Sequence, residues 1–89
     1  MKKIQIDRET HSMTYHAMVL NYSESQWRKL FKEPENQDHV EYRLSDVNIT
    51  WIVSVLSEAK ANLTKMHDRI DSAITIWRNN LELPEEHES

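Results

Sequence analysis

The sequence predicts a mainly α-helical fold, a helical hairpin of one shorter and one long helix with a short β-ribbon, and three observations carry that prediction. First, Ile52, Leu56, Ala59, Leu63, Met66, Ile70, Ala73 and Trp77 recur at alternating spacings of four and three residues. That period belongs to a helix whose narrow apolar stripe faces another helix along its length. Second, the 89 residues include no glycine and two prolines. Tight hairpins and helix C-caps draw on glycine, so few abrupt reversals are expected. Third, residues 3–7 and 40–44 alternate apolar and polar side chains, the pattern of half-buried strands. A small α+β fold with an N-terminal β-hairpin and the same long helix fits these residues as an alternative.

Taken in order, Lys3-Ile-Gln-Ile-Asp7 reads as a strand that pairs with residues 40–44. Thr10 or Ser12 is the expected N-cap of the next segment. Residues 13–22 fit a helix, with Tyr15, Met18, Val19 and Tyr22 at i, i+3, i+4, i+7, and also a buried strand; Met, Ala and Leu favour the helix. Ser23-Glu-Ser-Gln26 has the form of a capping box, and Trp27, Leu30 and Phe31 then share a helical face that Pro34 terminates. The box starts a new helix or marks a kink in a longer one. Residues 34–39 are a polar connector, after which Ser45 or Asp46 caps the long helix. Nothing in the sequence interrupts that helix before Pro84, so it is expected over about residues 45–82, some 55 Å in length. Residues 1–83 form one small domain in this scheme, and 84–89 a disordered acidic tail.

Several classes of chemistry are excluded or weakly supported by composition. Fifteen acidic against eleven basic residues give a net charge of −4, which does not suit a nucleic-acid binder by charge alone. With no cysteine, disulfides and thiolate metal sites are absent. The N-terminus lacks a signal-like apolar run and no segment is long enough for a membrane span, so a cytoplasmic protein that makes no use of a membrane is expected. His67 and Asp71 share a helical face, but two ligands fall short of the three or four that zinc takes. No nucleophile has a spaced base and acid, so no enzymatic activity, cofactor or metal is expected.

The function these features imply is binding. A shorter first helix, residues 13–32, would leave the distal end of a 55 Å neighbour bare, exposing Ile70, Ile74, Ile76, Trp77 and Leu81. These residues are the expected interface of a homodimer or higher oligomer with antiparallel helices, or of another protein partner. The chain is thus expected to be a small non-enzymatic regulatory or inhibitory protein that self-associates through its long helix. Two alternatives remain open. One is a nucleic-acid-binding regulator that contacts a polyanion with Arg28, Lys29 and Lys32 around Trp27. The other is an oligomeric helical bundle that sequesters a small ligand.

Overall fold

A computed structural model describes residues 2–32 and 38–82. The expected acidic tail at 84–89, and most of the connector expected at 34–39, lie outside these residues. The class is as the sequence predicts, helices with a small antiparallel sheet.

Strand β1 (Lys2–Asp7) turns Ile4 and Ile6 inward and Lys3 and Gln5 to solvent. It pairs antiparallel with β3 (His39–Leu44), Ile4 opposite Tyr42 and Ile6 opposite Val40, so the expected ribbon is present. On the other side of β3 lies the two-residue β2 (Phe31–Lys32), with Phe31 opposite Tyr42, and the strand order is β1-β3-β2.

Helix α1 (Arg8–Asn21) begins without a connecting loop. Asp7 is both the last strand residue and the N-cap, its carboxylate accepting from the Thr10 amide at 3.1 Å and from the Thr10 hydroxyl at 2.7 Å. Thr10 is therefore the donor to the cap rather than the cap itself. Residues 13–21 take the helical alternative, and α1 buries Met13, Ala17 and Met18 beside Thr10, His11 and Thr14.

The first helix does not reach Lys32. Tyr22 is extended (φ −142°, ψ 155°), and Ser23 caps a separate single-turn helix α2 (Glu24–Trp27), with its backbone N–H donating to Gln26 Oε1 at 2.9 Å. A 3₁₀ turn over Arg28–Leu30 then delivers Phe31 to the sheet. Aromatic packing accounts for this: buried Trp27 stacks on Phe31 with centroids 5.7 Å apart, and a continued helix would lift Phe31 off β3.

Ser45 caps helix α3 (Asp46–Asn62) in a reciprocal box with Asn48. The single helix expected over 45–82 is instead two. Leu63 ends α3 (φ −117°, ψ 72°), a 3₁₀ turn spans Thr64–Met66, and α4 (His67–Glu82) packs back along α3. The longest dimension of the molecule, 41 Å, is shorter than the roughly 55 Å of a continuous helix. No residue at this reversal needs a positive φ, which is why the lack of glycine did not prevent it. The driving force is burial: Ile70, Ile74 and Trp77 enter the core, each contributing about 1.5–3 kcal/mol against the few helical hydrogen bonds lost. Across the turn, Lys60 Nζ meets Asp71 Oδ1 at 2.7 Å.

The inner face of the sheet, with Ile4, Ile6, Val40, Tyr42 and Leu44, shares one core with α1, α3 and α4. Its outer face, with Lys3, Gln5, Lys32 and Arg43, is open to water.

The break at Leu63 can be checked with Thr64→Pro. Proline at the first position of a turn is tolerated, so stability should change by no more than about 1 kcal/mol in urea unfolding, whereas an uninterrupted helix would lose about 3 kcal/mol or more. A second measurement concerns Asp7. Burial pushes its carboxyl up, but hydrogen bonds from the Thr10 hydroxyl and from the amides of Thr10, Asp7 and Glu9 outweigh that and hold it below its ordinary value. A pKa depressed by folding stabilises above the unfolded value and ceases to do so as the pH falls through the folded one. Asp7→Ala should therefore cost about 1 kcal/mol at pH 7, and the gap to the wild type should close between pH 5 and pH 2.

Candidate interaction surface

The five residues expected to form an interface on the distal helix do not stand bare. Ile70, Ile74 and Trp77 are 2 %, 4 % and 0 % exposed, and Ile76 and Leu81 are partly buried against the same core. Their expected exposure depends on a continuous helix, and the return of α4 along α3 removes that premise.

Trp77 occupies the centre of the molecule. Its ring meets Tyr42 edge-on at 4.9 Å, and its indole N–H donates to Thr14 Oγ1 at 2.9 Å. The Thr14 hydroxyl in turn donates to the Thr10 carbonyl at 2.8 Å. Beside this pair, His11 Nδ1 lies 2.6 Å from the Tyr42 hydroxyl, and the imidazole packs edge-on against Phe31 at 4.7 Å. These polar groups are buried and mutually satisfied, an arrangement that fixes the packing of α1 and α4 on the sheet.

Arg28, Lys29 and Lys32 are all exposed, but they are divided between the 3₁₀ turn and β2 rather than aligned on one helix face. Arg28 pairs with Glu24 at 3.0 Å and lies over the Phe31 ring, and Lys32 sits opposite Glu41. Acidic neighbours thus answer two of the three cations. The His67 and Asp71 pair is also diverted: His67 lies 3.5 Å from Asp68, while Asp71 is engaged by Lys60, whose hydrogen bond and charge lower its pKa. Among the described residues no three His, Cys, Asp or Glu side chains come together as a metal site.

Three large apolar side chains are also exposed among the described residues. Val47 is 77 % exposed, Leu20 56 % and Val19 54 %. Val47 and Trp51 lie one turn apart on α3 and so share a face. Half-buried Trp51 packs edge-on against Tyr22 with centroids 5.2 Å apart, and its indole N–H donates to the Tyr22 hydroxyl at 3.4 Å. Tyr22 reaches Trp51 because the chain becomes extended directly after α1, and Val19 lies on the last turn of that helix. Tyr22, Trp51 and Val47 therefore form a surface that crosses from the end of α1 to α3.

The chain matches no known protein family, curated protein or solved structure with which it was compared. Its surface is thus interpreted from its own chemistry. Sequence pattern alone contained part of the signal: Val47 and Trp51 are four apart, and both fall off the buried positions Ile52 and Leu56. The contribution of Tyr22 depends on where α1 stops, which the pattern does not encode. No helix among the described residues is long and apolar enough to cross a membrane.

If Trp77 is a core residue, Trp77→Ala should cost about 3–5 kcal/mol and unfold much of the population, read by circular dichroism, instead of merely separating folded subunits.

Proposed function

We propose that the protein acts by binding another protein through Tyr22, Trp51 and Val47, and that it regulates or inhibits that partner by occupying its surface. The observation that carries this proposal is Val47, 77 % exposed beside the half-buried Trp51–Tyr22 pair. Apolar side chains left in water around an aromatic pair gain free energy when a partner covers them. Tryptophan and tyrosine are also the side chains most enriched where binding energy concentrates. The complementary partner offers an apolar segment with bulky aliphatic or aromatic side chains. Self-association through residues 70–81 is not part of this proposal, because Ile70, Ile74 and Trp77 are covered by the chain's own core.

A photo-cross-linking residue at position 47, compared with one at the exposed Ser57 of the same helix, tests the assignment in extracts of the native host. A discrete adduct should form from position 47 and not from 57, and Trp51→Ala should suppress it. Equal labelling from both positions, or an adduct indifferent to Trp51→Ala, would rule this surface out.

A further inference from the structure

A cleft of about 550 Å³ lies between α1 and the turn that leads into α4, a volume within the range of small-molecule sites. One wall is the face of α1 that carries Arg8, Ser12, His16 and Val19, spaced i, i+4, i+8 and i+11. Met66 and Arg69 form the other wall, and they stand there because the chain reverses at Leu63. None of the nine residues lining the cleft is acidic, although the chain as a whole carries a net charge of −4. Arg69 donates its Nε–H to Glu9 Oε2 at 2.7 Å, which ties α4 to the first turn of α1. That bond holds the guanidinium in place and uses Nε alone, so Nη1 and Nη2 keep a fork of parallel donors suited to an oxyanion. The side chains of Ser12 and His16 make no hydrogen bond among the described residues, and each has a donor to give.

We propose that this cleft binds a small amphiphilic anion, an oxyanion head of the carboxylate or phosphate-monoester kind on an aliphatic body. The head is selected by charge: two guanidiniums line the cleft, and a cationic ligand would meet no carboxylate there. The direction follows from the fold. Glu9 anchors Arg69 beside the first turn of α1, so both arginines belong to the Arg8 end, and Val19 stands about 16 Å farther along the helix. At that distance the lining is apolar and Val19 is more than half exposed. A bare oxyanion would leave Val19 and Met66 in water, whereas an aliphatic body covers them, and the unbranched thioether of Met66 adapts to a flexible chain. This inference uses residues distinct from those of the proposed protein-binding surface, so either can fail without the other.

The test is titration of the full chain, followed by amide chemical shifts, with decanoate and decyl phosphate below their micelle concentrations. Acetate, which lacks the body, and decanol, which lacks the charge, are the controls. At least one of the two decyl anions should bind, and the tighter of them identifies the head group. Shifts should cluster at Ser12, His16 and Met66, and both controls should bind at least tenfold more weakly. Arg69→Gln removes the fork and should weaken the decyl anion about tenfold. Val19→Asp, at an exposed position where the fold has little at stake, should weaken it by a similar factor with an unchanged circular dichroism spectrum. Arg43→Gln, on the outer face of the sheet, removes the same charge elsewhere and should have no effect. Absence of binding by both decyl anions would overturn the proposal. So would decanol or acetate binding as tightly, shifts confined to Tyr22, Val47 and Trp51, or equal losses from Arg69→Gln and Arg43→Gln.

Discussion

The burial of Trp77 is the contact on which the other elements depend. One side chain of α4 packs on Tyr42 of β3 and hydrogen-bonds Thr14 of α1, so three elements meet at a residue with no exposed surface. It can reach that position only because the chain reverses between Leu63 and Met66. Reversal and burial are one event energetically: the turn gives up a few helical hydrogen bonds, each worth about 1 kcal/mol net, and Trp77 with Ile70 and Ile74 returns more than that.

Around Trp77 the core is aromatic and partly polar. Thr10, His11 and Thr14 occupy the inward side of α1, each with a hydrogen-bond partner, so that helix presents polar atoms to the centre without leaving them unsatisfied. Trp27 differs, since its indole nitrogen is buried with no partner among the described residues. Stacking on Phe31 and an edge-on contact with Tyr15 at 4.9 Å offset that loss, at about 0.5–1.5 kcal/mol for each aromatic pair. These same contacts place Phe31 on the sheet and so set where the second helical segment ends.

The parts of this fold legible in sequence were those governed by one local period. Alternation at 3–7 and 40–44 identified β1 and β3 and their pairing, and Ser45 was one of the two caps expected for the helix that follows. The heptad stripe was legible as a stripe, but its period does not say whether the facing helix is a separate chain or the continuation of the same one. Exposure resolves it: six of the eight stripe residues are buried, and the two that are only partly so, Leu63 and Met66, stand at the reversal. Helix α1 was ambiguous because half of its buried face is Thr and His, which blurs the apolar spacing. The exposed apolar pair Val47 and Trp51 lies four residues apart and off the stripe, a local spacing, whereas Tyr22 joins it through a chain direction that no local pattern encodes.

The direct passage from β1 into α1 leaves its mark on the kinds of change this chain can accept. Asp7 closes the ladder against His39 and opens the helix toward Thr10, so strand register and helix phase are a single degree of freedom. Substitutions at outward positions such as Gln5 leave that coupling intact. Adding or deleting one residue between Ile6 and Thr10 would turn α1 by about 100° relative to the sheet, carrying Thr14 away from Trp77. In evolutionary terms this junction should tolerate changes of letter and resist changes of length.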